Sequence, residues 1–285
     1  MRKYARFGRE YEMIKVAKFG GSSCASAEQF RKVKDIVLSD KSRHYIVVSA
    51  PGKRASGDTK VTDLLYRLQD AVTDEKKFQE TLKTIKDRYQ EIIDGLELDF
   101  SLDADFDRIE HDLKAGADRD YAASRGEFLN AKLMAAYLGF SFIDSASCFS
   151  FKEDRTCDYQ KTEEGIRAAL KDIDYAVFPG FYGANEKGEV VTFSRGGSDV
   201  TGSLLAAAEH VDLYENWTDV SGFLVADPRI VPNPEVIDYI TYRELRELSY
   251  MGAGVLHEDA IFPVRREGIP IQIKNTNRPE DHGTL

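Results

Sequence analysis

The sequence predicts an α/β protein built on a mostly parallel sheet, and three observations carry that prediction. Strand-like and helix-like segments alternate along most of the chain, the pattern left when parallel strands are joined through helices. The first strand pattern, Ile14 to Phe19, runs straight into Gly20-Gly21-Ser22-Ser23 and then into a helix. At 285 residues, 42% hydrophobic and 31% charged, the chain can bury the core of one large domain or of two closely packed lobes without disulfide or metal staples.

The elements follow in order. Ser26-x-x-Gln29 reads as a capping box, and Phe30, Val33, Ile36 and Val37 recur at helical spacing behind it. Tyr45 to Ala50 is a second apolar strand; Pro51-Gly52 ends it, and a polar loop to Lys60 leads to a helix marked by Leu64, Leu65 and Leu68. From about 74 to 138 the pattern is helical and highly charged, over 75–95, 106–116 and 121–138, and reads as a helical insertion. Strands return at 140–143 and 175–179. Gly183 to Gly188 has the composition of a hairpin tip with its return strand at 190–193. A helix with Ser198 as its cap and an alanine-rich run from Leu204 leads to a strand at 211–217. A helix at 242–250 and a strand at 269–274 precede a polar, turn-rich end.

Composition excludes several classes of function. With 39 Lys+Arg against 49 Asp+Glu the net charge is −10, which argues against a broad nucleic-acid-binding surface. Cys24, Cys148 and Cys157 are odd in number, widely spaced and without a CxxC, so neither a disulfide framework nor a zinc site is expected and a reducing cytoplasm fits best. The five histidines form no HExxH or similar pair, and no metal ligand set is expected. The N-terminus lacks the apolar core of a signal peptide, and no run of eighteen apolar residues suggests a membrane span. Common phosphate and nucleophile signatures also fail. Gly183 and Gly188 have P-loop spacing but are followed by Glu189 instead of lysine, and there is no GxGxxG after a strand, no HRD loop and no GxSxG elbow.

Four segments carry chemistry. Lys18-Phe19-Gly20-Gly21-Ser22-Ser23 stands at the carboxyl end of the first strand, where open α/β sheets bind ligands. Two glycines let backbone N–H groups approach an anion, the next helix offers its positive end, and Lys18 adds a full charge. The plainer reading is a tight turn with a solvated lysine. Ser194-Arg195-Gly196-Gly197-Ser198-Asp199 again joins a strand to a helix; Arg195 suits a bidentate grip on carboxylate or phosphate, and Asp199 in a helix's first turn can orient a cation, or the two are a cap and a surface ion pair. Ser124 and Glu127 in Tyr121–Glu127 are either a site or a capping box. Trp217-Thr218-Asp219-Val220-Ser221-Gly222, with Asp227-Pro228-Arg229, is a strand end and turn suited to clamp a nucleotide. Cys24, Trp217, the tyrosines and His257 read most simply as packed residues, and the 74–86 charge run as a solvated helix face.

Together these segments strongly resemble the catalytic domain of aspartate kinases, in the amino-acid kinase superfamily. KFGGSS, SRGE, FSRGGSD, WTDV…DPR and the closing KNT…GTL occur in family order from about Met13 to Leu285. KFGG with RGGSD separates the pattern from the glutamate, carbamate and nucleoside-monophosphate kinases of that fold. The resemblance implies a three-layer α/β/α sandwich, the carbamate kinase-like fold, with a mostly parallel open sheet. Residues 1–12 would be an extension, about 13–175 the aspartate lobe with insertion 74–138, and about 176–285 the ATP lobe. It further implies ATP-dependent phosphorylation of the L-aspartate side chain, the first step of lysine, threonine and methionine synthesis, with Mg²⁺ carried on the nucleotide, in a cytoplasmic homodimer that uses neither nucleic acid nor membrane.

Roles follow by resemblance at matching positions. Lys18 would neutralise the transferring phosphoryl group, with Gly20 and Gly21 along its path. Ser49 and Thr62 would line the aspartate site, Glu127 would bind the substrate ammonium and Arg195 a substrate carboxylate. Gly197, Ser198, Thr218, Asp219, Leu224, Arg229, Gly254 and Val255 would meet the nucleotide, although many members have tyrosine at Leu224. The attacking carboxylate, with an ordinary pKa of about 3.9, is already ionised at neutral pH, so no general base is needed. Asp199 is therefore expected to organise Lys18 or the magnesium-bound phosphates.

Two departures stand out. Many members have a phosphate-binding lysine at Gly254 and proline at Glu258; either Arg229 or Lys274 takes up that charge, backbone N–H groups do, or the chain is a silent nucleotide-binding partner of a longer kinase. Members also continue into ACT regulatory domains, and this chain stops where those would begin.

Overall fold

The computed structural model describes residues 13–194, 196–226, 230–250, 256 and 258–285. In chain order the elements are β1 (Lys15–Phe19), α1 (Ala27–Ser39), β2 (Arg43–Val48), α2 (Val61–Asp70), α3 (Glu75–Gly95), α4 (Asp103–Lys114), α5 (Arg119–Leu138), β3 (Ser141–Phe142), β4 (Ser150–Phe151), α6 (Tyr159–Ala169), β5 (Ala176–Pro179), β6 (Tyr182–Asn185), β7 (Val190–Thr192), α7 (Gly197–Ala208), β8 (Leu213–Thr218), α8 (Tyr242–Tyr250), α9 (Glu258–Glu267) and β9 (Ile271–Asn275). Six strands form one sheet in the order β3-β5-β2-β1-β8-β9, every neighbouring pair parallel. β4, β6 and β7 form a second sheet, in which β6 and β7 are the antiparallel hairpin expected around 183–188.

Strand alternation splits the core into two layers. Ala17, Phe19, Ile46, Val48 and Val177 pack with Phe30 of α1, Leu65 of α2, Phe78 of α3, Phe106 of α4 and Leu129 of α5. Val16, Tyr45, Val47, Phe178 and Tyr214 face the other way, onto Ile166 of α6, Leu205 of α7, Leu245 of α8 and Val264 of α9. The result is the three-layer α/β/α architecture. Lys18 lies between Ala17 and Phe19 and so points to the α7 side. The carboxyl ends of β1, β2, β8 and β9 lie side by side, with β1 central. The chain builds outward from β1 to β2 and later returns to add β8 on its other side, the switch point at which such sheets bind ligands.

Local expectations fare unequally. Ser26 caps α1, accepting the Gln29 N–H at 3.4 Å, but the Gln29 side chain donates to Asn277 instead of closing the box. Ser198 is not the cap of α7. Gly196 is, at φ 56, a left-handed conformation that a side chain would strain, and Ser198 is already helical and buried. The capping-box reading of Ser124 and Glu127 also falls: both lie inside α5, whose cap is Asp118, accepting the Tyr121 N–H at 2.9 Å. Three elements lack a sequence signature: two-residue β4, α6, and α9. The last contains Pro263, and the Val264 N–H that follows is met by Ser203 Oγ. Among the described residues no helix is long and apolar enough to cross a membrane.

Candidate active site

Lys18 is the centre of the first half of the site. Only 7% exposed, it directs Nζ to 2.6 Å from Asp199 Oδ1 in the first turn of α7. Asn216 of β8 donates to the same Oδ1 at 2.8 Å, so Asp199 is held from two sides. The ion pair bridges β1 and α7, elements far apart in sequence, and excludes the solvated-lysine reading of the first motif. Gly20 lies beneath the lysine: its N–H donates to the Trp217 carbonyl, and a Cβ there would be 3.6 Å from Nζ. Gly21 accepts the Gly52 N–H at 2.8 Å, which ties the glycine turn to the loop after β2.

The second half lies on the α5 side. Glu127 is 6% exposed, and its Oε2 has no hydrogen-bond partner. Burial pushes its pKa up to about 8; the Ala50 N–H and the Arg125 charge pull it back only in part. Arg125 itself is buried between the rings of Tyr121, Phe128 and Tyr182, at 4.6, 4.5 and 5.3 Å, and donates to Ser124 Oγ. Gly126 lets α5 close on α2 and the end of β2, since a Cβ there would stand 2.7 Å from that of Ala50 and meet Leu65 and Val61. Thr62 is half-buried and follows Val61 in the first turn of α2. Ser49 follows β2; its N–H donates to the Phe19 carbonyl and its carbonyl accepts Asn130 Nδ2 at 2.6 Å.

Cys24 joins the halves. It is fully buried, interacts electrostatically with both Lys18 and Glu127, and hydrogen-bonds with Asn130. Burial pushes its thiol up to about 12, so it is a packed residue and not a nucleophile.

The remaining sequence candidates lie around the end of β8 and the start of α7. Gly197 and Ser198 open α7, both buried. Thr218 ends β8, its carbonyl accepting the Thr276 N–H at 2.9 Å and its hydroxyl donating to Asp219 at 3.2 Å. Asp219 is exposed, and Leu224 is half-buried and bridged to Val236. Arg195, Arg229, Gly254, Val255 and His257 lie outside the described residues. Lys274, the other residue expected to take up charge, lies apart from Lys18. Its ammonium donates to the Pro279 and Asp281 carbonyls and lies 5.5 Å from the Trp217 ring, on the face of the sheet opposite Lys18. Burial, with Arg43 nearby, lowers its pKa.

Two site residues escape sequence reasoning, Asn216 and Asn130. Each is an amide in an otherwise buried stretch, Asn216 within Tyr214–Trp217 and Asn130 one turn beyond Glu127. A buried amide inside regular structure was the available signal.

A glycine turn and a lysine–aspartate pair thus meet at the carboxyl ends of a parallel sheet, and the chain belongs to the amino acid kinase family, whose model matches residues 13–275. Within it, the chain is 42% identical to aspartokinase 3 of Bacillus subtilis, over 95% of this chain and 63% of that protein. Among solved structures it is similar to the aspartate kinase of Clostridium acetobutylicum, with a TM-score of 0.91 and 52% identity over 96% of this chain and 62% of that one. It is also similar to Escherichia coli aspartokinase III in complex with aspartate and ADP, with a TM-score of 0.83 and 28% identity over 95% of this chain and 64% of that one. The chain thus spans a little over three-fifths of the length of these relatives.

Proposed function

We propose that this chain is the catalytic region of an ATP-dependent aspartate kinase, which phosphorylates the side-chain carboxylate of L-aspartate. The observation that carries the substrate class is Glu127 Oε2, a buried acceptor without a partner, in a protein whose folded state gains nothing from leaving it so. A free ammonium is the group that answers it. Sequence similarity to the aspartokinases of Bacillus subtilis and Clostridium acetobutylicum, and to an Escherichia coli enzyme seen with aspartate and ADP, supports the same reading.

In this reading Glu127 holds the ammonium, Ser49 and Thr62 line the pocket, and Arg195 holds a carboxylate. ATP binds over α7 and the end of β8, against Gly197, Ser198, Thr218, Asp219 and Leu224. A carboxylate oxygen of aspartate attacks the γ-phosphorus in line, the bond from that phosphorus to the bridging oxygen breaks, and ADP leaves with the electron pair. No proton moves, because the nucleophile arrives ionised. The work of the protein is therefore positioning and charge neutralisation, which falls to Lys18. The Asp199 carboxylate and Asn216 amide keep the ammonium of Lys18 aimed between Gly20 and α7. In this reading magnesium is carried in by the phosphate oxygens of the nucleotide. When bound, that ion neutralises phosphate charge.

The test is ADP release from Mg-ATP and L-aspartate, with hydroxylamine trapping the acyl phosphate, on this chain and its Lys18→Ala variant. Aspartate-dependent hydroxamate that falls roughly 10²- to 10³-fold in the variant is the expected result. ATP binding with no aspartate-dependent turnover would overturn it in favour of a silent nucleotide-binding partner.

A further inference from the structure

α5 presents not one orphaned acceptor to the aspartate corner but two. Asn130 is fully buried, and its Oδ1, like Glu127 Oε2, has no hydrogen-bond partner. The two residues are three apart on one helix, the spacing that stacks side chains on a common face. They also meet the same peptide unit: Asn130 Nδ2 donates to the Ser49 carbonyl at 2.6 Å, and the N–H of the next residue, Ala50, is directed at Glu127. The amide cannot be turned over to hide its oxygen, because Oδ1 would then oppose the Ser49 carbonyl, acceptor against acceptor. Cys24, which neighbours both residues, is a poor answer to either, since a thiol is a weak donor and leaves Oδ1 unsatisfied. Asparagine is also a poor helix former, and an apolar residue would cost the folded state less at a fully buried position.

We propose that Asn130 is a second substrate-binding residue, whose Oδ1 acts with Glu127 Oε2 to accept two of the three N–H donors of the substrate ammonium. The inference rests on the reading of Glu127 given above. It deepens it by a specificity argument: two fixed acceptors are satisfied together by a free ammonium, whereas an acylated amine offers one N–H and leaves the other acceptor buried and unpaired. The Ser49 contact then has a purpose beyond packing, since it fixes the amide plane and aims the oxygen.

The experiment compares dissociation constants for L-aspartate and succinate, the same dicarboxylate without its ammonium. Titration calorimetry on the whole chain gives both constants for the parent, Asn130→Leu and Glu127→Gln. The parent is expected to prefer aspartate, and Asn130→Leu to lose that preference by roughly 10- to 100-fold while succinate binding stays within about two-fold. Equal weakening of both ligands in Asn130→Leu would mean that the amide only holds the Ser49 carbonyl, and would overturn the proposal. Preference lost in Glu127→Gln but kept in Asn130→Leu would overturn it while leaving the Glu127 reading intact. No preference in the parent would remove both. Should Asn130→Leu fail to fold by circular dichroism, Asn130→Ala gives the same comparison without the added bulk.

Discussion

Glu127 and Glu215 are two buried glutamates on the side of the sheet covered by α1 to α5, and the fold treats them oppositely. Glu215, 2% exposed, is filled on both oxygens: Arg43 Nε and Trp217 Nε1 donate to Oε2 at 2.7 and 2.8 Å, while Arg43 Nη2 and Lys15 Nζ reach Oε1 at 3.3 Å. The Arg43 guanidinium also lies 5.4 Å from the Trp217 ring. Glu127 has a backbone N–H, a nearby Arg125 and an oxygen left bare. A carboxylate surrounded by its own protein's donors cements β1, β2 and β8 together. One that is buried and incompletely answered is costly to keep, and the difference separates groups that hold a fold from groups that wait for a ligand.

The largest effect should come from the satisfied member. Glu215→Gln leaves Arg43 buried without its charge partner and is expected to lower stability by about 3–5 kcal/mol in urea unfolding. The aspartate KM of the molecules that remain folded should not change. Glu127→Gln should do the reverse. We expect kcat/KM for aspartate to fall by an amount equivalent to about 2–5 kcal/mol, roughly 30- to several-thousand-fold, with ATP affinity kept. At pH 8 the same variant should gain about 1–3 kcal/mol of stability. A Glu127→Gln chain that unfolds more easily than the parent would erase the contrast.

Acidity gives a third contrast. The folded pKa of Glu127, about 8, lies above its unfolded value of about 4.3, so between the two the native chain binds more protons. Stability of the ligand-free chain should therefore fall as pH rises from about 4.5 to about 8 and level off beyond, and this slope should be absent in Glu127→Gln. In the proposed reading aspartate binding needs the ionised Glu127 carboxylate, so the aspartate KM should rise as pH drops through about 8. A KM flat from pH 6 to 9 would count against the assignment. The smallest effect is expected of Arg43→Lys, which keeps the charge beside Glu215 but loses the two-nitrogen grip, at about 1 kcal/mol in thermal unfolding with kinetics unchanged.

How much of this was legible in the sequence depends on range. β1, its glycine turn and α1 follow from local pattern, as does the 183–188 hairpin, because hydrophobic period and turn chemistry act within a few residues. α9 does not, since Pro263 argues against a helix and the compensating Ser203 hydroxyl lies 61 residues away. Lys18 and Asp199 are each suggestive in their own motifs. Their 2.6 Å contact, which turns two motifs into one site, is a property of the assembled sheet. Asn130 is the clearest omission. Nothing in Glu127-Phe128-Leu129-Asn130 says that the amide nitrogen is spent on Ser49 and the oxygen on nothing.

The strand order carries a consequence for how the protein is made. β1 is central, but only its β2 side is completed early; β8 follows almost 200 residues later, where Asp212 Oδ2 accepts the Ile14 N–H across a separation of 198. At ribosomal speeds of about 5–20 residues per second, the other edge of β1 stays open for roughly 10–40 seconds of synthesis. Throughout that interval the nascent chain carries an unpaired, apolar strand edge, the surface most prone to wrong pairing, and the lysine at its end has no aspartate to meet.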